Sequence, residues 1–292
     1  MRTPADDSGS TAEPGAWTAP FAMPDRYLRR RGGDAIPHPA GHPSMTSGGL
    51  HLIRPDWPAP ARVRACSTER AGGVSAVPYD SLNLGARAGD RPADVAENRR
   101  RLAAAAECPA PVWLDQVHGP DVVRLGCAPA REPAADASVT GETTVTCAIL
   151  TADCLPVLLC DRAGTRVGAA HAGWRGLAAG VVEAAVSAMD RPAGDLLAWL
   201  GPCIGPTAFE VGPEVRAAFL AGDPAAGADF RPGQGDRFYA DLRALARRRL
   251  LDCGVRDVSA STDCTLEDAG RFFSHRRDGP CGRMATLIWL AP

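Results

Sequence analysis

The sequence predicts an α/β fold, a three-layer αβα single domain built on a mixed β-sheet. Three observations predict it. Short apolar runs alternate with stretches of helical period, several runs end in glycine-containing turns, and a last apolar run, Met284–Leu290, follows the last helical stretch. With 292 residues and 45% hydrophobic content the chain can fill a substantial core.

The elements follow in order. Residues 1–47 are rich in Pro, Gly, Ser, Ala and Arg and hold no sustained period, which predicts a disordered or loosely ordered tail before a domain at 48–292. Arg62 to Ser67 alternates like a strand and runs into a Gly72-Gly73 turn. Asp90-Arg91-Pro92 opens a helix through Glu107, with Asp90 as N-cap and Pro92 near the first helical position. A short strand at Val112–Leu114 leads into Asp115-Gln116-Val117-His118-Gly119. Cys147–Leu150 is a buried strand ending at Thr151-Ala152-Asp153-Cys154, and Leu155–Cys160 is a second run that Pro156 makes an edge or a broken strand. Val167–Ala170 stops at His171-Ala172-Gly173-Trp174-Arg175-Gly176. One helix follows, with Leu177, Val181, Val182, Ala185, Val186 and Met189 on its apolar side. Leu196–Leu200 is another buried strand. A helix from Asp236 to Cys253 carries Tyr239, Leu242, Leu245 and Leu250 and stops at Gly254; Val258–Ser261 and Met284–Leu290 complete the sheet.

Composition narrows the function. A net charge of -2 draws the chain neither to nucleic acid nor to an anionic membrane, and neither is expected as a partner. All 32 basic residues are Arg, so lysine Schiff bases, P-loop lysines and pyridoxal anchors are excluded. Any bound anion must be held by guanidinium groups, backbone N–H groups or a metal. Ten cysteines in a chain of this length, with no apolar leader in residues 1–25 and no run long enough to span a bilayer, predict a reduced, cytoplasmic setting. The expected assembly is a monomer or small homo-oligomer.

Six histidines are present, and two of them, His118 and His171, sit at strand ends beside glycine, where side chains can converge on a cleft. Cys154 follows Asp153 at the end of a buried run. His118, Cys154 and His171 lie 36 and 17 residues apart, unlike the paired ligands of a finger or ribbon. Three ligands from three strand ends would leave a fourth zinc position open; the alternative is a buried, inert Cys154 and two hydrogen-bonded histidines. Arg175 follows Trp174 at a helix start, suited to an anion or merely solvent-facing over the indole. Arg276 and Arg277 put two planar donors in one loop, which fits phosphate or an ordinary charged turn. Asn83 could bind a ligand or serve turn chemistry.

These segments together resemble the YfiH-like, laccase-domain family, first labelled multicopper polyphenol oxidase and later understood as zinc-dependent purine nucleoside phosphorylases. The resemblance rests on Arg70–Ser75, Tyr79–Gly85, Asp115–Gly119, Thr151–Cys154, His171–Gly176, Gly201–Gly212 and Phe273–Arg283, and covers roughly residues 51–291. It implies the three-layer αβα fold, Zn2+ on His118, Cys154 and His171 as the catalytic centre, and phosphorolysis of adenosine, with inosine, guanosine and S-methyl-5'-thioadenosine as further substrates. Adenosine deamination is implied as a second activity. It also places Asn83, Arg70 and Arg175 in the same cleft. The sequence departs from the family's pattern at Arg87, Ala246, Arg249 and Cys281, none of them a metal ligand.

Other functions remain to be weighed. Two His and one Cys also suit a blue-copper centre, but a multicopper oxidase needs a further cluster built from many more imidazoles than this chain has. A metal-free cysteine hydrolase would use Cys154 as nucleophile and His171 as base. A non-catalytic or quality-control role, such as cell-wall precursor editing, is the third reading.

Overall fold

The computed structural model describes residues 44–47 and 49–292. In chain order the elements are β1 Ser44–Ser47, β2 Leu50–Ile53, β3 Val63–Thr68, α1 Pro92–Ala106, β4 Ala110–Val112, β5 Val122–Leu125, β6 Ala137–Thr140 and β7 Val145–Thr151. There follow β8 Leu155–Asp161, β9 Val167–Ala172, α2 Trp174–Ala178, α3 Val181–Ala188, β10 Leu196–Leu200, β11 Glu210–Val211 and α4 Pro213–Leu220. The chain ends with β12 Phe230–Pro232, β13 Phe238–Ala240, α5 Leu242–Asp252, β14 Asp257–Ala260, α6 His275–Asp278 and β15 Met284–Leu290.

The α/β class, the mixed strand pairing and the helix-covered faces hold. The strand layer, expected as one mixed sheet, is instead two sheets of six strands, ordered β1-β2-β3-β15-β7-β4 and β14-β10-β8-β9-β6-β5, with a small third sheet β11-β13-β12. The two large sheets face each other. Ala65, Cys147, Ile149 and Ile288 of the first pack with Leu158, Cys160, Ala169 and Trp199 of the second. On the outer face of the first sheet, Cys66, Ala148 and Leu287 meet Leu102 and Ala105 of α1. On the outer face of the second, Val157, Leu159, Ala170 and Ala198 meet Val182 and Ala185 of α3 and Leu245 and Leu250 of α5. Strands covered on both faces read as unbroken apolar runs rather than alternating ones, which is why β8 is buried along its whole length.

Several element boundaries differ from expectation, each for a local reason. The β8 strand lies between β10 and β9 and is not an edge. His171 donates its backbone N–H to the Asp136 carbonyl, so Pro156 faces His171 as a non-hydrogen-bonded pair. The missing N–H of Pro156 then points past Leu200, the last β10 residue paired with β8, where no ladder acceptor is required. The helix expected after Gly176 is two helices, broken at Gly180, whose φ of 97° is left-handed. Helix α5 starts at Leu242, capped by Asp241, because Phe238–Ala240, Tyr239 included, pairs into the small sheet. Glu107 takes the left-handed cap position of α1. The expected Val112–Leu114 strand is β4 at Ala110–Val112, two residues earlier. Ser44–Ser47, counted with the tail, pair antiparallel with β2; the rest of the expected tail lies outside the described residues.

Asp90 is not the N-cap of α1; Arg91 holds that place, with Pro92 at the first helical position. The Asp90 carboxylate instead accepts from Ser75 Oγ at 2.6 Å and Asn83 Nδ2 at 3.0 Å. Asn98 of α1 completes this arrangement of residues 74–90. Fully buried, it donates to Ser75 Oγ, the Ser81 carbonyl and the Asn83 carbonyl and accepts from Val74 N. Asn98→Ala leaves these groups without their partner, so it should lower unfolding free energy by about 1–3 kcal/mol in a denaturant titration. An unchanged midpoint would show that the loop does not depend on Asn98.

Candidate metal centre

One end of the two-sheet layer carries the site. β7 ends at Thr151, β8 begins at Leu155, and the short link between them holds Cys154. Residues Val167, Ala169 and His171 of β9 alternate onto the inter-sheet face, so His171 extends that layer of side chains at its open end. Across the strand pair, Pro156 sits opposite His171, which brings Cys154 alongside the imidazole. His118 arrives from the loop after β4, which Gln116 pins to β7: its amide donates to the Leu150 carbonyl and accepts from Leu150 N, both at 2.8 Å.

His118, Cys154 and His171 are the sole group of three possible metal-ligating side chains among the described residues, with ligand atoms all within 4.8 Å of one another. Cys154 Sγ lies 3.9 Å from His118 Nε2. A tetrahedral zinc with ordinary Zn–S and Zn–N bonds would hold such a pair about 3.6 Å apart, so the donor set fits with a small contraction. His171 is buried, Cys154 half-buried and His118 exposed, which leaves one side of the cluster open to solvent. Gly173 forms the floor. A Cβ there would lie 2.9 Å from both Cys154 Sγ and His118 Cδ2.

Electrostatics prepare the same three groups. Burial alone would raise the Cys154 thiol, but the charge of His171 and hydrogen bonds from both imidazoles outweigh it and bring its pKa down to about 6. Burial alone would lower His171, but the Cys154 thiolate and the Asp136 carboxylate raise it to about 9. Between these limits the metal-free cluster is a thiolate–imidazolium pair.

Two carboxylates surround the trio. Asp136, at the head of β6, accepts from His171 Nδ1 at 2.8 Å. Burial works against its charged form, yet the His171 hydrogen bond and backbone N–H groups hold it below the ordinary carboxylate range. Asp153, at a φ of 90°, accepts from Thr265 Oγ1 and from Arg276 N, both at 2.7 Å. Asp136 stands in an Ala-rich run, and no spacing in the sequence singles it out; Asp153 gives only its place before Cys154 as a clue.

The other expected site residues are placed differently. Asn83 is fully buried; its side chain donates to Asp90 and accepts from Gly85 N and Arg283 N, which is turn chemistry. Arg70 is tied to Asp80 and the Ala269 carbonyl and lies over Phe273. Arg277 donates to the carbonyls of Thr265, Leu266 and Phe272 and to Asp278. Arg276 stacks on Phe209 and donates to the Glu210 carbonyl. Arg175 is exposed, and its guanidinium lies 4.4 Å from the Trp174 ring centroid with no hydrogen bond or ion pair among the described residues. Helix α2, on which it sits, has five residues, too short to add much dipole. Arg87, one of the departures from the family's pattern, pairs with Asp115.

Two outcomes follow. Gly173→Ala should fold with an unchanged circular-dichroism melt but bind less than half the wild-type zinc in elemental analysis, because its methyl group occupies ligand space; full zinc would show that the trio does not close around a metal. Metal binding must displace the imidazolium proton of His171, raised to about 9, and below about 6 the Cys154 proton as well. Zinc affinity should therefore rise with pH across that window, with about one proton released per metal near neutrality, as read by calorimetry in buffers of different ionisation enthalpy. A pH-independent affinity would contradict the thiolate–imidazolium pair.

Comparison with known proteins places the chain in a family. A family model described as multi-copper polyphenol oxidoreductase laccase matches residues 64–291, all three candidate ligands included. The protein named purine nucleoside phosphorylase YfiH from Escherichia coli is 55% identical over 240 residues, covering 82% of this chain and 98% of its own. A protein named purine nucleoside phosphorylase from Pseudomonas aeruginosa is 57% identical over 239 residues, with the same coverage of 82% and 98%. A Neisseria meningitidis crystal structure, described as DUF152, superposes with a TM-score of 0.81 at 48% identity, covering 82% of this chain and 99% of that one. By sequence match along the domain and by fold, the chain belongs to the multi-copper polyphenol oxidoreductase laccase family, the YfiH group.

Proposed function

We propose that this protein is a zinc-dependent purine nucleoside phosphorylase, converting adenosine and related purine nucleosides with phosphate to free base and ribose-1-phosphate. The observation that carries the reading is the open two-imidazole, one-thiolate cluster; relatives at 55–57% identity, named for this reaction, support it. Inosine, guanosine and S-methyl-5'-thioadenosine are the further substrates, and adenosine deamination is the second activity to be assayed.

His118, Cys154 and His171 would hold the metal. When bound, zinc supplies Lewis acidity at its open position, where charge develops in the transition state. The protein's own residues do the remaining work. Arg175, uncommitted and two residues beyond Gly173, is the guanidinium available to hold phosphate, in a chain without lysine. Trp174 supports it from below. Val117, 56% exposed beside His118, offers apolar surface to a planar base. Zinc is preferred over copper because the described residues build one three-ligand cluster and no second one for an oxidase relay. All ten cysteines are free, in keeping with a reducing, cytoplasmic setting.

A second reading has one observation in its favour. The depressed thiol of Cys154 beside His171 is also the signature of a cysteine nucleophile with its base. Release of free base from adenosine, followed with and without phosphate and after chelator treatment, separates the two. The phosphorylase reading requires phosphate dependence and loss of turnover on chelation; a chelator-resistant hydrolysis would replace it with the cysteine reading, and no turnover with either would leave a non-catalytic role.

Arg175→Ala should raise the KM for phosphate about ten- to hundred-fold, the cost of one charge-assisted contact, while zinc content stays at the wild-type level. If zinc is lost and phosphate dependence kept, Arg175 supports the metal and the anion is held elsewhere.

A further inference from the structure

The carboxylate of Asp136 touches both sides of the ligand trio. It is completely buried. Its Oδ1 accepts from His171 Nδ1 at 2.8 Å and from His118 N at 3.0 Å; its Oδ2 accepts from Val117 N at 3.0 Å and Gly119 N at 2.7 Å. These donors fill the acceptor sites an ionised carboxylate has. The backbone of Asp136 is fixed as well: its carbonyl accepts from His171 N and its N–H donates to the Asp121 carbonyl.

We propose that Asp136 is the positioning residue of the metal centre, one carboxylate that selects the ligating nitrogen of His171 and locks the loop presenting His118. The proposal rests on the zinc reading of the trio. An ionised carboxylate is acceptor-only, so His171 must present a protonated Nδ1 to it and keep Nε2 for the metal. The same carboxylate holds three consecutive backbone N–H groups around His118, whose φ of 62° is left-handed and needs such support in a residue with a Cβ. Both imidazoles are thereby referred to one rigid point at the head of β6, and their rings settle edge to face with centroids 4.7 Å apart.

Asparagine cannot replace this group, although it has the same shape. Its amide nitrogen is a donor in a pocket made only of donors. Turned toward His171, it would ask the ring for a bare Nδ1 and move the remaining proton to Nε2, the ligating atom. Turned toward the loop, it would repel the N–H groups of Val117 and Gly119. Either way the zinc geometry is damaged while the site keeps its three ligands.

The test is zinc affinity, by competition with a chromophoric chelator, together with 15N NMR of the histidine rings in zinc-loaded protein. Wild type should bind one zinc, with His171 showing a protonated Nδ1 and a metal-shifted Nε2. Asp136→Asn should bind zinc about 10- to 100-fold more weakly and lose that His171 pattern. If the variant binds within about two-fold of wild type with the ring signals unchanged, the positioning role is wrong and the zinc reading stands. If wild type itself takes up no zinc, the zinc reading fails and the positioning role with it. Should Asp136→Asn not fold, the wild-type ring spectrum decides alone, because ligation through Nδ1 of His171 would overturn the proposal.

Discussion

The site depends on the register of one strand pair. β8 and β9 pair with Pro156 opposite His171, and this puts Cys154 and His171 on the face between the two sheets. A slip of one residue would turn His171 toward α3 and bring Ala170 or Ala172 to the cleft. The register is held by burial on both sides: Val157, Leu159 and Ala170 belong to the helix-facing core, Leu158, Cys160 and Ala169 to the inter-sheet core. Sliding the pair would move every one of these side chains to the wrong layer. The same apolar packing that stabilises the domain therefore sets the distance between a thiolate and an imidazole.

Loop strain completes what register begins. His118 and Asp153 both have left-handed φ, at 62° and 90°, and both adjoin or supply a candidate ligand. Such conformations cost about 1–3 kcal/mol in residues other than glycine and persist where the surroundings over-determine them. Around His118 the surroundings are the Asp136 carboxylate and the Gln116 clamp on Leu150. Around Asp153 they are Thr265 and the backbone of Arg276, with Ile204 N closing on its carbonyl. Distant segments thus converge on two aspartates, and each aspartate fixes the backbone beside one candidate ligand.

This division explains what could be read from the sequence. That His118, Cys154 and His171 lie at or just beyond strand ends was legible locally, while their convergence, with ligand atoms within 4.8 Å of one another, was not. The strands themselves were legible locally too; Met284–Leu290 matches β15 residue for residue. Which strands pair was not, because pairing is a long-range property: Ser67 Oγ lies 2.6 Å from Thr286 Oγ1 across 219 residues. That is why one sheet was expected where there are two. Asp136 escaped because its role is visible only when β6 is laid against β9. The resemblance placed Asn83 and Arg70 in the cleft; in the fold the Asn83 side chain accepts from Gly85 N and Arg70 donates to the Asp80 carbonyl.

A chain with arginine in place of every lysine uses it first as a structural donor. The planar guanidinium carries five N–H groups, enough to gather several carbonyls at once, as Arg277 does with Thr265, Leu266 and Phe272. Each such commitment removes a cation from ligand binding. Which arginines are occupied therefore matters more than how many there are. Arg70, Arg276 and Arg277 hold loops, and Arg175 is left exposed and stacked on Trp174. In the trio the Cys154 thiolate is balanced by the His171 imidazolium, and the buried Asp136 carboxylate on His171 Nδ1 adds one negative charge. A divalent metal that displaced the imidazolium proton would raise the charge of this group by one, from net negative to neutral. On the proposed reading, an anion at Arg175 would then meet less repulsion with the metal bound than without it. Metal and anion binding would in this way favour each other electrostatically, with no movement of the fold required.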